Sequence, residues 1–373
     1  MPNRLVAQAM ELNCAGAGGA VSQAVLDRYR SLARGKWGLV FVEAVSITEE
    51  SLARGRGLIL NRKNLDGFKR LVDTFKKEND RGLLMFQLTH SGRLSGSFSK
   101  QIKAYADNDN DIPIATTAEL HAIRDAYIRS AELARLAGAD GVDIKACHGY
   151  LAGELLRPLN DRQDEYGGIA ENRAHLVSSV IKEVRKHWPD LIVGSRISLY
   201  EGIRGGCGTS GPDEVIEVLD DILGIVRHLV KAGADFINVS AGIPAITPQI
   251  TRPAKDMYVS LYHHFRYAKL VRDHFADVAV IGSAYSAGRK RAASWAGENI
   301  RKGYVDLAGF GRQNLADPLY AVKLAEDPDG INYCKLCGGC SRLLKEQKQV
   351  LCTVYQNQGK NPDVYHKEHK TAS

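Results

Sequence analysis

Eight short and nearly continuous hydrophobic runs recur along the chain, and longer amphipathic segments separate them. Strands of a parallel sheet that is buried on both faces have this continuous pattern, whereas strands with one face in solvent alternate between apolar and polar residues. The regular alternation of such strands with helices therefore favours a parallel α/β architecture. The predicted strands cover residues 5–10, 39–47, 83–90, 141–146, 191–198, 236–242, 278–284 and 305–311.

The amphipathic segments have helical periodicity, and some of them begin at recognisable start signals. Thr116 and Thr117 suit a helix cap, and Pro212 after Gly211 suits a first helical turn. The turn sequence AGAD occurs at 137–140 and again at 232–235, with a looser copy at 302–306. A glycine that ends a helix before an aspartate that enters a strand is typical of a short αβ connection. The predicted helices cover 22–34, 64–78, 117–137, 170–187, 212–232, 260–275, 287–302 and 318–327.

Eight β/α units over about 325 residues predict a (β/α)8 TIM barrel. The main rival is a doubly wound sheet, which usually has a glycine-rich phosphate-binding turn after its first strand. The segment that follows the first run contains glycines but lacks the GxGxxG spacing. The loops at 91–115 and 147–169 are longer than a connection needs, so we expect catalytic residues there.

Composition limits the class of protein. The formal net charge is +7, from 50 Lys and Arg against 43 Asp and Glu, and no block of basic residues stands out. Nucleic-acid binding is therefore a weak interpretation. No apolar run reaches the ~18 residues of a membrane span, and the N-terminus does not resemble a secretory signal. We expect a globular cytoplasmic protein without a membrane segment, and its mild positive charge could steer anionic substrates.

The segment after the fourth predicted strand carries the most reactive side chains. Lys145, His148 and Tyr150 lie together at the carboxyl end of that strand, and Gly149 allows a sharp turn between them. A cation, an imidazole and a phenol can bind a carbonyl oxygen and deliver a proton. The structural alternative is that Lys145 is solvated and that Tyr150 packs with a satisfied hydroxyl.

The sequence HGYLAGELLRPLNDRQDEYGGIAENR, at 148–173, resembles the signature of the Old Yellow Enzyme family of FMN-dependent ene-reductases. The family pattern is H-x-x-(H/N)-G-Y-L, then F-L-x-P, then D-x-Y-G-G-S-x-E-N-R. The resemblance runs in order from residue 3 to about 356. Its other matching segments are NRLVAQAM at 3–10, QLTHSGR at 87–93, SRIS at 195–198, VIGSA at 280–284 and GFGRQNLADP at 309–318.

The resemblance implies FMN across the carboxyl-terminal mouth of the barrel. Gln87 would bind the pyrimidine edge of the flavin, and Arg196 would place its cation near flavin N1. An internal salt bridge from Arg196 to Glu43 or another acid is the alternative. The phosphate would be held by Gly282, Ser283, Gly311 and Arg312, and the ring would be contacted by Met10 and Ala44. Turn geometry for the glycines, and core packing for Met10 and Ala44, are the structural alternatives.

The implied activity is transfer of hydride from NADH or NADPH, through flavin N5, to an alkene activated by a carbonyl or acyl group. Lys145 and His148 would hold the activating oxygen, and Tyr150 would protonate the substrate. Two residues depart from the family pattern. Lys145 stands where the family has histidine, so the substrate could be a carboxylate or a thioester-linked acid. Glu11 stands where members often have Cys, Thr or Gly; it could belong to the substrate pocket, shift the flavin potential or face solvent.

Four of the seven cysteines lie within nineteen residues, with the spacing Cys334-x2-Cys337-x2-Cys340-x11-Cys352. Such clustering favours ligation over a disulfide framework. The segment resembles the [4Fe-4S] segment of the dienoyl-CoA reductase and trimethylamine dehydrogenase branch. An iron–sulfur cluster, zinc and unligated thiols are the open alternatives.

The resemblance and the cysteines together predict three regions. These are an FMN-binding barrel at 1–330, a cysteine extension at 331–356 and a polar, disordered tail at 357–373. A flavin and iron–sulfur electron-transfer subunit with a partner protein is the main functional rival. An RNA-modifying FMN barrel of the dihydrouridine synthase type lacks support from the strand 4 signature. A homo-oligomer stays open.

Overall fold

The computed structural model describes residues 1–253 and 258–355 and contains eight parallel strands that close into a barrel. Each strand pairs with the next along the chain, and β1 pairs with β8. The predicted TIM barrel is confirmed, and the open, doubly wound sheet is excluded because no strand is left at an edge of this sheet. The strands are β1 Leu5–Ala7, β2 Leu39–Ser46, β3 Leu83–Thr89, β4 Gly141–Ala146, β5 Ile192–Ser198, β6 Phe236–Ser240, β7 Ala279–Gly282 and β8 Leu307–Phe310.

The helices cover the outside of the barrel. In the first of them, Val25, Tyr29 and Leu32 are buried at helical spacing and so form its apolar face. Those that the structure describes are α1 Gln23–Arg34, α2 Leu65–Glu78, α3 Thr117–Leu136, α4 Leu151–Leu155, α5 Ala170–His187, α6 Asp220–Lys231, α7 Pro248–Thr251, α8 Tyr258–His274, α9 Ala292–Arg301, α10 Arg312–Ala316, α11 Tyr320–Glu326 and α12 Gly339–Lys345.

Most helix boundaries agree with the predictions, and two do not. Thr116 caps α3 through a reciprocal capping box with Glu119, as its position predicts. The helix predicted from 212 begins only at Asp220, because the preceding backbone bonds to the 205–208 loop instead, including the Val218 amide to the Gly208 carbonyl at 2.8 Å. The helix predicted from 287 begins at Ala292, since Arg289 has a positive φ of 52° and interrupts it.

The repeated αβ turns place an aspartate at the start of alternate strands. Gly138, Gly233 and Gly303 have φ values of 86°, 99° and 68°, a backbone region that favours glycine. The following aspartate accepts a hydrogen bond from the amide of the preceding strand. The contacts are Asp140 with Leu84 at 2.6 Å, Asp235 with Val193 at 2.8 Å and Asp306 with Val280 at 2.8 Å. Each aspartate therefore links two adjacent strands.

Two hydrophobic cores stabilise the barrel. The larger core lies between the sheet and the surrounding helices. A smaller core lies inside the barrel, near the amino-terminal ends of the strands. The space at the carboxyl ends of the strands therefore stays open. The buried members of the smaller core are Val6, Leu39, Phe41, Met85, Phe236, Ile281 and Leu307.

The segment after α11 packs against the loop that follows β1. The Val350 amide donates to the Leu12 carbonyl at 2.7 Å, and Asn13 Nδ2 donates to the Gln347 carbonyl at 2.7 Å. The predicted tail at 357–373 lies outside the described residues. Among the helices described here, none combines the length and the hydrophobicity needed to cross a bilayer.

Candidate active site

A cavity of about 380 Å³ opens at the carboxyl ends of the strands. Loops after seven of the eight strands line it, so it lies where TIM barrels carry their active sites. The cysteine-bearing segment also contributes, through Leu344, Lys345 and Val350. The predicted long loops contribute unequally: the loop after β4 supplies His148 and Tyr150, whereas the loop after β3 supplies Leu94.

A polar network joins the strand ends at the floor of the cavity. Gln8 and Asn238 exchange two hydrogen bonds across the barrel, of 2.8 and 2.9 Å. Arg196 donates to the Gln8 side chain and lies 3.3 Å from Ser240 Oγ. Gln87 Nε2 donates to the buried Asp143 carboxylate at 2.7 Å. These bonds fix the Arg196 and Gln87 side chains before any ligand binds.

The guanidinium of Arg196 forms no salt bridge with a carboxylate among residues 1–253 and 258–355, and its buried Nε has no hydrogen-bond acceptor. The nearby Asp143 carboxylate feels the charge of Arg196, but it accepts the Arg196 backbone amide and not the guanidinium. The alternative of a salt bridge to Glu43 is wrong, because the Glu43 carboxylate instead accepts the Leu12 amide. Burying a guanidinium without an anion is costly. The residue therefore fits an anionic group bound in the cavity, such as the N1 side of a reduced flavin.

Two further arginines, Arg252 and Arg312, line the same cavity. Arg312 donates to the Pro253 carbonyl at 3.0 Å, and Arg252 donates to the Pro244 carbonyl at 2.8 Å. Burial, and then the charge of Arg312, lower the pKa of Arg252. Within the described chain neither guanidinium has an acidic partner, so two adjacent cations are available to a phosphate.

The loop after β4 brings its catalytic candidates together by a strained turn. His148 and Gly149 have positive φ values of 62° and 81°, a conformation that is unusual for histidine. His148 Nε2 lies 2.8 Å from Ser240 Oγ. Burial and then the charge of Arg196 lower the pKa of His148 well below its ordinary value. The imidazole is therefore neutral at neutral pH.

Glu11 lies at the centre of a charged cluster in the cavity, so the alternative that it faces solvent is wrong. Tyr150 donates its hydroxyl proton to Glu11 Oε1, and Lys145 Nζ lies 3.4 Å from the same oxygen. Arg54 Nε donates to Oε2 at 2.9 Å. The ammonium of Lys145 also lies 3.4 Å from the centroid of the Tyr150 ring.

The same contacts set the ionisation of the cluster. Burial opposes the charge of Glu11, but Lys145 and Arg54 outweigh it and hold the Glu11 pKa at about 2. Burial lowers the pKa of Lys145, and Glu11 counters it. Burial and Glu11 raise the pKa of Tyr150 well above 10.0. Lys145 is only 5% exposed, which contradicts the solvated alternative.

The cavity lining contains most of the residues predicted to bind the cofactor or the substrate, but Ala44 and Gly282 are not in it. A Cβ at Gly282 would approach Val305 Cγ1 to 2.9 Å, so this glycine allows close packing. The predicted residues that line the cavity are Met10, Gln87, Lys145, His148, Tyr150, Arg196, Ser283, Gly311 and Arg312. The lining residues that the sequence analysis missed include Gln8, Arg54, Ser240, Arg252, His264 and Lys345.

The missed residues have different sequence signals. Gln8 belongs to the NRLVAQAM segment, and its position at the end of the first hydrophobic run could have marked it. Arg252 lies in the loop after β6, where no motif distinguishes it from other surface arginines. Only the tertiary structure brings it beside Arg312.

The four clustered cysteines line one small cavity of about 20 Å³. Cys340 and Arg312 line both this cavity and the large one. However, no three Cys, His, Asp or Glu side chains of the described residues are close enough to hold a metal ion as they stand. This arrangement does not fit a cluster directly, and metal ligation stays a hypothesis.

A closed barrel with a deep cationic cavity at its carboxyl-terminal mouth defines a TIM-barrel enzyme. The model of the NADH:flavin oxidoreductase / NADH oxidase family matches residues 1–329. The chain therefore belongs to this family of flavin-dependent oxidoreductases. The family resemblance expected from the sequence is confirmed.

The chain is similar to named relatives over most of its length. An NADPH dehydrogenase of Bacillus subtilis (strain 168) is 29% identical over 308 residues, which cover 81% of this chain and 83% of the relative. An NADH oxidase of Thermoanaerobacter brockii is 26% identical over 373 residues, which cover 94% of this chain and 53% of the relative.

Solved structures share the fold at low sequence identity. A 2-naphthoyl-CoA reductase in complex with 2-naphthoyl-CoA matches with a TM-score of 0.82 and 20% identity over 94% of this chain. This chain spans 54% of the length of that protein. An old yellow enzyme homologue from Zymomonas mobilis matches with a TM-score of 0.72 and 20% identity, and the match covers 96% of both chains.

Proposed function

We propose that the protein binds FMN in the large cavity and uses NADH or NADPH to reduce an alkene that a carbonyl or acyl group activates. The observation that carries the proposal is that Arg196, Arg252 and Arg312 line the cavity and form no salt bridge with a carboxylate in the part of the chain that the structure describes. A mononucleotide supplies anionic groups that three such cations need.

The residues present fit FMN. The flavin, when bound, supplies reversible two-electron chemistry to both substrates. Arg196 would face the N1 side of the ring, Gln87 its pyrimidine edge, and Arg252 and Arg312 the phosphate. Gly311 leaves room there, because a Cβ at this position would meet only Met10 Sδ, at 3.2 Å.

The substrate side of the cavity fits carbonyl activation. Lys145 is a buried cation, and the neutral His148 can donate a hydrogen bond, so both suit an oxygen on which negative charge develops. Tyr150 now donates its proton to Glu11. Rotation about the bond from its ring to its hydroxyl oxygen would redirect that proton toward a substrate carbon.

The test uses the purified holoprotein under anaerobic conditions. We expect FMN to be released on denaturation, NADPH or NADH to bleach the flavin absorbance, and 2-cyclohexenone but not cyclohexanone to restore it. A chain that binds no flavin would contradict the whole proposal. A flavin that oxygen reoxidises but no activated alkene does would contradict the alkene as substrate.

A second candidate function rests on the shared lining of the two cavities. Because Cys340 borders both, a cluster held by the four cysteines would lie next to the flavin cavity and could pass electrons to a partner protein. The thiols would first have to move together. Iron and acid-labile sulfide at about four per chain would support this function. Zinc without iron, or neither metal, would contradict it.

A further inference from the structure

We propose that Glu11 determines substrate specificity, by holding Lys145 and Arg54 as a cationic pair that selects substrates carrying a carboxylate. The inference rests on the proposed function, since it concerns the substrate side of the same cavity. It adds the chemical class of the substrate and a role for Glu11.

The charges that line the cavity are strongly unbalanced. Six lysine and arginine side chains line it, and Glu11 is the one acidic side chain in that lining as far as the chain is described. FMN accounts for Arg196, Arg252 and Arg312 in the proposed arrangement. The remaining cations of the lining are Arg54, Lys145 and the exposed Lys345, against the one carboxylate of Glu11. This leaves an excess of positive charge in the rest of the cavity.

Glu11 holds both cations on its two oxygens. Arg54 binds Oε2 at 2.9 Å, and Lys145 Nζ lies 3.4 Å from Oε1. One carboxylate cannot neutralise two cations, so the Glu11, Lys145 and Arg54 group keeps a net charge of about +1. Because the Lys145 and Glu11 side chains are largely buried, the uncompensated charge favours an anionic ligand.

The geometry places the excess charge beside the candidate proton donor. Lys145 Nζ lies 3.4 Å from the centroid of the Tyr150 ring and is 5% exposed. A carboxylate that binds Lys145 would therefore sit next to the Tyr150 hydroxyl. A neutral ligand of the same shape would leave the ammonium without a second anion.

The test compares benzoate with benzamide, which have nearly the same shape and differ in charge. Dissociation constants are measured on the oxidised holoprotein from the change in flavin absorbance. We expect benzoate to bind at least about tenfold more tightly, with a preference that weakens as salt is added. Equal affinity for the two ligands would overturn the proposal.

Three variants separate the contributions. Lys145→Met and Arg54→Met should each reduce the benzoate preference several-fold, while the FMN content stays normal. Lys69→Met removes an exposed lysine of α2 and is the control for net charge; it should leave the preference unchanged. The assignment would be overturned if only the control lost its preference for benzoate, or if Lys145→Met and Arg54→Met both kept that preference unchanged.

Glu11→Gln tests the role of the carboxylate itself through pH. Burial lowers the pKa of Lys145 and Glu11 raises it, so without Glu11 the ammonium should lose its proton at a lower pH. We expect the pH at which the benzoate preference falls by half to decrease by about one unit or more. An unchanged midpoint would show that Glu11 does not control Lys145.

Four titratable groups near Lys145 have pKa values outside the range of about pH 7 to 9. The pKa of Cys147 is raised to about 12, that of Tyr150 lies well above 10.0, and that of His148 lies well below 6.5. Asp143 titrates at about 6, below this range. The charged and titratable groups that face Lys145 are Glu11, Arg54, Asp143, Cys147, His148, Tyr150 and Arg196.

Failure of this inference differs from failure of the proposed function. A protein without flavin, or one that NADPH and NADH cannot reduce, contradicts the proposed function. A flavoprotein that is reduced normally but binds benzamide as tightly as benzoate contradicts only the role of Glu11, Lys145 and Arg54.

Discussion

At the scale of single residues, the neighbours of a buried group decide its chemistry. Tyr150 donates to Glu11, which lies far from it in sequence, and Lys145 packs over its ring. The sequence predicts that Lys145, His148 and Tyr150 lie close together because they follow one strand. It left the role of Glu11 open, because only the folded loops bring Glu11 to them.

Tyr150→Phe tests the phenol as proton donor. We expect alkene reduction to slow by roughly 10²-fold or more, because a positioned general acid is lost. Reduction of the flavin by NADPH should stay within twofold or so, since that step needs no proton from Tyr150. Stopped-flow measurement of each half-reaction checks both expectations. Tyr262→Phe, on the exposed face of α8, is the control, and equal rates of alkene reduction in all three proteins would exclude the role.

Glu43→Gln tests a buried acid outside the cavity lining. Burial raises the Glu43 pKa from 4.5 to about 8, so the folded protein holds this proton more tightly than the unfolded chain does. The contribution of this bound proton to the free energy of unfolding should therefore be fully present below about pH 4.5 and should decrease as the pH rises toward 8. The amide that replaces the carboxyl group cannot ionise. We therefore expect the free energy of unfolding of the variant to rise relative to that of wild type by up to a few kcal/mol between about pH 5 and 8.

Denaturant unfolding of both proteins at several pH values measures this difference. If the difference in the free energy of unfolding between wild type and Glu43→Gln is independent of pH, Glu43 does not bind the extra proton. Glu49→Gln, at a surface position, is the control and should show no such trend.

At the scale of elements, the αβ turns show what local sequence determines. The AGAD repeats predict a helix end, a turn and a strand start, and the structure confirms all three. The Gly211-Pro212 pair misled the prediction, because the residues that follow it form hydrogen bonds with an earlier part of the same connection, at 205–208, and α6 starts only at Asp220. A start signal is weak when a neighbouring segment offers competing partners.

Asp235→Ala tests the contribution of these aspartates. The change leaves the Val193 amide without its side-chain acceptor and removes the contact to Arg185. We expect the free energy of unfolding to fall by about 1–2 kcal/mol. Asp235→Asn keeps an acceptor oxygen and should lose much less. Thermal unfolding of both variants measures the difference, and equal losses would mean that charge, not the hydrogen bond, matters.

At the scale of the whole molecule, the cavity joins segments from most of the chain. Arg252 and Arg312 are sixty residues apart in number, yet they line the same cavity. The cysteine-bearing segment closes part of its mouth through Leu344, Lys345 and Val350. Bound FMN would thus contact distant segments at once, and it should stabilise the folded protein as a whole.

FMN added to the apoprotein should raise its free energy of unfolding by about 2.7 kcal/mol when the concentration of free FMN is a hundred times its dissociation constant. Arg252→Gln should weaken FMN binding at least about tenfold and so lower that gain by about 1.4 kcal/mol. Calorimetry with and without FMN measures both. Arg185→Gln, remote from the cavity, should keep the full gain; an undiminished gain in Arg252→Gln would exclude Arg252 from the phosphate site.

The sequence alone determined the barrel, because the buried parallel strands with their intervening helices form a local pattern that repeats eight times, and short αβ turns mark three of the connections. It also placed Lys145, His148 and Tyr150 together, since they lie at the end of one predicted strand, and the family resemblance added Arg196. The tertiary structure decided which side chains these cavity residues contact. The pairing of Gln8 with Asn238, the approach of Arg252 to Arg312 and the charges around Glu11 all depend on contacts between segments remote in sequence. Such contacts form only when the barrel closes, and no local pattern encodes them.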